Sequence, residues 1–172
     1  AALRSPSFCS DAATGNHTTD HSIHTEPLQG VAGTKFISFA KTKYWGADLY
    51  ESGVAPFYNA DVLVESWMNG INPLDTCCTG TKTCPCPDGA SCAAKYNAIN
   101  IRSLNWGSSS FAWLETQDHS KWAITQGSTH AVCIGDINRQ NGQLKRGGGT
   151  VCQQNTALWK AFSAAVDTKD SC

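Results

Sequence analysis

Nine of the 172 residues are cysteine, and five of the nine crowd into one stretch, TCCTGTKTCPCPDGASC, residues 76–92. Such density belongs to secreted, luminal or lysosomal chains, where disulfides persist and staple the fold. The other four are Cys9, Cys133, Cys152 and Cys172. Nine is odd, so one thiol is free or bonded to another chain. Cys9 lies 68 residues from its nearest neighbour, in a polar leader, and is the candidate for an interchain disulfide. A buried unpaired thiol is the alternative. The rival use of a cysteine cluster is metal. Zinc sites pair C-x2-C knuckles at a fixed distance from a second pair or from histidines. Here the gaps are 0, 5, 1 and 5 residues, with Pro85 and Pro87 between them and no histidine inside. A disulfide-stapled surface loop is therefore expected, and no metal. The sequon Asn16-His17-Thr18 marks Asn16 for glycosylation and agrees with a secretory route.

Charge narrows the partners. Thirteen Lys and Arg face fourteen Asp and Glu, a net of −1, which excludes a polybasic tail as the main theme. No apolar run approaches 18 residues, so no membrane span is expected. The opening Ala-Ala-Leu-Arg-Ser-Pro does not read as a signal peptide, and the one methionine is Met68. The expectation is a processed chain or a fragment.

Residues 1–33, rich in Ser, Thr, Gly and His, read as an N-terminal arm and loops. Across 34–52, Phe36, Phe39, Ala40, Lys43 and Ala47 fall at helical spacing, with Thr34 to cap and Gly53 to stop a helix. Residues 60–68 (ADVLVESWM) and 97–106 (NAINIRSLNW) read as strands, and two β-like runs around Gly127-Ser128 as a hairpin. A polar basic loop, Asn138 to Arg146, leads through Gly147–Gly149 to a helix near 152–166. Strands interleaved with helices predict a layered α/β domain.

The chemistry concentrates in Asp118-His119-Ser120-Lys121-Trp122. On a strand, residues i and i+2 share a face, about 7 Å apart by strand rise. An imidazole beside an ammonium suits a phosphodiester. The ammonium holds the non-bridging oxygens, and the imidazole attacks phosphorus or protonates the leaving oxygen. Cys133-Ile-Gly-Asp136-Ile-Asn138 follows, and Asn138 on the paired strand would reach the same phosphate. A solvated His and Lys is the plain alternative for any single H-x-K. Segment 119–149, however, carries four Lys and Arg against one Asp, leaving it at +3 in a remainder of −4. A basic island of this kind suits a phosphate-facing surface. Gly147–Gly149 would admit an anion close to the backbone, or form a flexible turn. His17, His21 and His24 read as solvated arm residues, and His130 as structural.

The joined pattern D-H-S-K-W, C-x-G-D-x-N-R, R-G-G-G-T-x-C and A-L-W-K-A-F within residues 117–162, with FISFAKTKYWGADLY at 36–50, resembles the C-terminal half of deoxyribonuclease II. This is the acid endonuclease family of the phospholipase D superfamily. The resemblance runs from about residue 23 to the end, excepting the Cys-rich insert. It implies a phospholipase D-like αβα layered sandwich over 34–172, one lobe of a pseudo-two-fold pair that brings two H-x-K motifs together. It implies metal-independent and cofactor-free cleavage of DNA in acid, through a phosphohistidine, to 3′-phosphate and 5′-hydroxyl ends. Under it, His119, Lys121 and Asn138 are catalytic, and Gly135, Asp136, Arg139 and Arg146 contact substrate. The superfamily's acidic residue five positions after the lysine is here Gln126, a departure from the superfamily and not from the family. No second H-x-K exists in this chain. The partner implied is the N-terminal lobe as a separate, disulfide-linked chain, or a second copy. The resemblance also pairs Cys133 with Cys152, and Cys77 or Cys78 with Cys172, Cys78 being adopted. It leaves two bridges inside the insert and Cys9 pointing outward. Lysosomal or secreted residence follows. A non-catalytic secreted binding or toxin-like module on the same fold is the competing expectation. A metal-dependent phosphatase lacks its carboxylate cluster.

Overall fold

The computed structural model describes residues 19–80, 84–85 and 91–172. Cys9, Asn16, His17 and Cys86 lie outside the described residues.

A mixed α/β architecture is built on one large sheet. Its strands are β1 (Ile23–Gln29), β2 (Lys35–Lys41), β3 (Val62–Glu65), β6 (Ala98–Asn105), β7 (Ala112–Leu114), β8 (Trp122–Thr125), β9 (Ala131–Gly135), β10 (Gly148–Gln154) and β11 (Val166–Lys169). The order across the sheet is β1-β2-β10-β9-β8-β3-β6-β11, with β7 also on β6. β3 and β6 run parallel, and the other neighbouring pairs are antiparallel. A two-stranded ribbon, β4 (Cys84–Pro85) with β5 (Ser91–Cys92), rises from the Cys-rich insert.

Alternation along the central strands sorts the apolar residues onto two faces. Val62, Val64, Ala123 and Cys133 face a cluster completed by Phe39, Leu49, Tyr50 and Val54. Leu63, Ile99, Trp122, Ile124 and Val132 face the other way. There they meet Leu158, Trp159 and Phe162 of α3 (Thr156–Ala165). Asn155 begins α3 by accepting from the amides of Ala157 and Leu158. The first face is covered by a π-helical turn, Leu49–Val54, that runs into α1 (Ala55–Tyr58).

Three sequence expectations change. The 34–52 helix is instead β2 followed by that turn. Ile37, Phe39 and Lys41 alternate inward, and pairing with β1 and β10 on both sides outweighs the helical spacing. Residues 23–29 belong to no arm, because they form β1 against β2. The C-terminal helix starts at Thr156, residues 152–154 being the end of β10.

Disulfides join Cys77 to Cys84, Cys78 to Cys172 and Cys133 to Cys152. The last spans opposed positions of β9 and β10. The second ties the C-terminus across 94 residues of chain. Among the described residues no helix is long and apolar enough to cross a membrane.

Candidate functional site

His119 and Lys121 do not stand on a strand. They occupy the loop entering β8, which starts at Trp122. Asp118 shapes that loop: its carboxylate accepts from the amide of Ser120 at 2.8 Å and from its hydroxyl at 2.7 Å. The Lys121 ammonium folds back onto the carbonyl of His119. The imidazole of His119 is exposed and stacks on the indole of Trp67, with centroids 4.5 Å apart and planes at 26°. Both side chains open onto a cleft of about 430 Å³, whose lining includes Gly135, Trp106, Trp122 and Phe162. His119 and Lys121 thus share one mouth with an aromatic wall.

Gly135 lies beside Lys121 across the β8–β9 ladder, donating its amide to the Lys121 carbonyl at 2.9 Å. A side chain there would meet the Gly149 carbonyl at 2.7 Å and Thr150 at 2.9 Å, so the position demands glycine. Asp136 is exposed, and its Oδ1 accepts from the Gly149 amide at 2.8 Å. Asn138 is nearly buried, and its Oδ1 has no hydrogen-bond partner. Asp136, Asn138, Arg139 and Arg146 are not among the residues lining the cleft.

Arg139 requires the largest revision. It was expected to touch substrate from a solvated basic loop, and it is 1% exposed. Its Nε donates to Asp48 at 2.7 Å, its second nitrogen to Asn100 Oδ1, and its third to the Asp75 carbonyl at 3.2 Å. A guanidinium removed from water needs its donors filled and its charge matched, which Asp48 provides. Arg139 therefore knots the π-helical turn to β6 and contacts no substrate, and the basic island loses that charge from its surface. Arg146 is exposed, and its carbonyl accepts from the Lys41 ammonium at 2.6 Å. Lys41 also serves the carbonyls of Gln143 and Leu144, which close α2 (Asn141–Leu144). Burial pushes the Lys41 ammonium down to about 8. Of the three glycines, Gly149 lies in β10 with its missing side chain's place taken by the Phe39 backbone, so the close approach there is to protein.

Two neighbours of the H-x-K loop were not singled out from sequence, and both come from the end of β3. Glu65 opposes Trp122 across the β3–β8 ladder. It is fully buried, and neither carboxylate oxygen has a hydrogen-bond partner. Burial, then the carboxylates of Asp118 and Glu115, push its carboxyl up to about 8 against the pull of Lys121. Trp67, two residues on, is the platform under His119. The available signal was an acid ending an apolar β run, V-L-V-E, followed by Ser-Trp.

Among the described residues no group of three or more His, Cys, Asp or Glu is placed to hold a metal ion. His130 also meets an aromatic ring, lying tilted against Trp159 at 4.6 Å, and reaches Thr156 Oγ1 at 3.1 Å. This pins α3 to the β8–β9 turn.

Comparison with known proteins gives a family profile described as Deoxyribonuclease II that matches residues 7–172. Deoxyribonuclease-2 of Caenorhabditis elegans is 40% identical over 147 residues, covering 84% of this chain and 34% of that protein. Plancitoxin-1 of Acanthaster planci is 37% identical over 147 residues, covering 84% and 37%. Deoxyribonuclease-2-alpha of Rattus norvegicus is 33% identical over 162 residues, covering 90% and 42%. The chain thus spans roughly a third to two fifths of the length of these relatives.

Proposed function

Because the chain belongs to the deoxyribonuclease II family, we propose that it supplies one half-site of a metal-independent acid endonuclease that cleaves DNA phosphodiesters. The observation that carries this reading is the shared mouth of His119 and Lys121. A partner lobe, as a separate disulfide-linked chain or a second copy, brings the other H-x-K. The assembled pair is a phospholipase D-like layered sandwich, resident in lysosomes or secreted.

The chemistry follows from the groups. A neutral imidazole of the partner lobe attacks phosphorus and forms a nitrogen–phosphorus bond. The bond to the 5′ oxygen breaks, and His119, protonated in acid, gives that oxygen its proton. His119 then takes a proton from water. The resulting hydroxide attacks phosphorus and displaces the partner imidazole, leaving a 3′-phosphate and a 5′-hydroxyl. Lys121, released from the His119 carbonyl, holds the non-bridging oxygens throughout. Acid suits this division, because one imidazole must be charged while the other is not.

A non-catalytic secreted binding or toxin-like module on the same fold is the competing reading. Nicking of plasmid DNA by the two-lobe protein at about pH 5 with EDTA separates the two. The nuclease reading expects nicks with 3′-phosphate ends. Intact plasmid, or nicks that EDTA abolishes, would reject it.

A further inference from the structure

Trp67 touches three segments at once. Its indole face lies against the imidazole of His119. Its ring nitrogen donates to the Thr116 carbonyl at 3.1 Å, at the root of the H-x-K loop. Its own carbonyl accepts from the side-chain amide of Gln140 at 3.0 Å, two residues after Asn138. Gln140 is itself nearly buried and crosses close over Gly70, where any side chain would collide with its amide. The tryptophan is therefore held at both ends, on the ring by the loop it supports and on the backbone by the G-x-x-N segment. His119, by contrast, is exposed and sits in a loop, where an unsupported imidazole would sample several rotamers. Offset stacking of two flat rings removes that freedom at little cost.

We infer that Trp67 is a positioning residue for His119, fixing the plane of the imidazole and linking the H-x-K loop to the G-x-x-N loop. The inference rests on the nuclease reading for its consequence in catalysis, and on the ring geometry alone for its consequence at His119. A general acid works when its nitrogen lies within hydrogen-bond reach of the leaving oxygen. A displacement of about 1 Å costs on the order of 100-fold in rate. Trp67 touches no reacting atom, so its loss should lower turnover and spare substrate binding.

The test compares Trp67→Leu, which removes the flat face, with Trp67→Phe, which keeps a ring. In the two-lobe enzyme at about pH 5, Trp67→Leu is expected to lower kcat by about 10- to 100-fold with KM within about three-fold. Trp67→Phe should stay within about five-fold of the parent. A folded Trp67→Leu with unchanged kcat overturns the inference. Should Trp67→Leu fail to fold, Trp67→Phe decides: a loss as deep as that of His119→Ala assigns the effect to the Thr116 hydrogen bond and ends the stacking role. A second measurement needs no activity. Diethyl pyrocarbonate labelling of His119, followed peptide by peptide by mass spectrometry, should run at least about three-fold faster once the platform is removed. An unchanged labelling rate overturns the positioning role even if DNA is cut. A parent protein that cuts no DNA but shows the faster labelling sinks the nuclease reading and leaves the ring contact standing.

Discussion

Arg139 and Glu65 are both charged-type side chains with essentially no exposure, and their surroundings could hardly differ more. Arg139 has an opposite charge at 2.7 Å and acceptors from Asn100 and Asp75. Glu65 has no hydrogen-bond partner, two acidic neighbours, and one lysine whose ammonium is turned to its own loop. The first region is saturated, as a structural knot must be when it is taken out of water. The second leaves both oxygens of a buried carboxyl unsatisfied under Trp122, next to the H-x-K loop. A buried carboxyl without partners costs stability, which a neutral, protonated form reduces. The contrast sets a saturated structural knot against an unsatisfied carboxyl under the loop where the proposed chemistry lies.

That division can be broken in four ways. His119→Ala should reduce DNA nicking by the two-lobe protein by about 10²- to 10⁴-fold while leaving the melting temperature unchanged. Loss of folding instead would place His119 in the structural region. Arg139→Ala should do the reverse. It strands Asp48 as a buried unpaired carboxylate and should lower stability by about 3–5 kcal/mol, read by urea denaturation. A stable Arg139→Ala variant with lost activity would return this residue to the substrate side. Replacing Cys133 and Cys152 together by Ser opens the bridge between β9 and β10 and should lower stability by about 3 kcal/mol in the loop-entropy account. A loss below about 1 kcal/mol would show that the ladder alone holds the two strands.

The fourth effect depends on pH. The Glu65 carboxyl is raised in the folded protein, from 4.5 to about 8. Between those values the unfolded chain has released a proton that the folded chain still holds, so stability falls as pH rises through this window. It is fully present at and below about pH 4.5. Glu65→Gln removes the titrating group at nearly constant shape. It should stabilise the protein at pH 7.5 and change nothing measurable at pH 4.5, by thermal melts at both values. Equal effects at the two values would mean that Glu65 is ionised and paired.

Much of the sheet was legible in the residues, and the reasons are local. The runs that became β3, β6, β8 and β9 alternate or carry continuous β-branched residues between turn signals. β2 was hidden because Phe36, Phe39 and Lys43 satisfy a helical period by chance, while the alternation of Ile37, Phe39 and Lys41 matters only once β1 and β10 flank it. Of the candidate site, His119, Lys121 and Gly135 do line one cleft, while Asn138 is not among its lining residues. Arg139 was misplaced because the partner that buries it, Asp48, is 91 residues away in sequence. Glu65 and Trp67 were passed over for the same reason: the β3–β8 pairing brings them under a loop more than 50 residues later.

The central claim is that this chain holds half of a reaction centre, and the most direct measurement is nicking by halves. The 172-residue chain alone, the other lobe alone, and the two combined should be incubated with supercoiled plasmid at about pH 5 in EDTA, over a range of protein concentrations. Nicking is expected from the combined lobes, and none from the combination that carries His119→Ala. Nicking by the single chain at a rate strictly proportional to its concentration, with no second lobe and no pairing of copies, would contradict it.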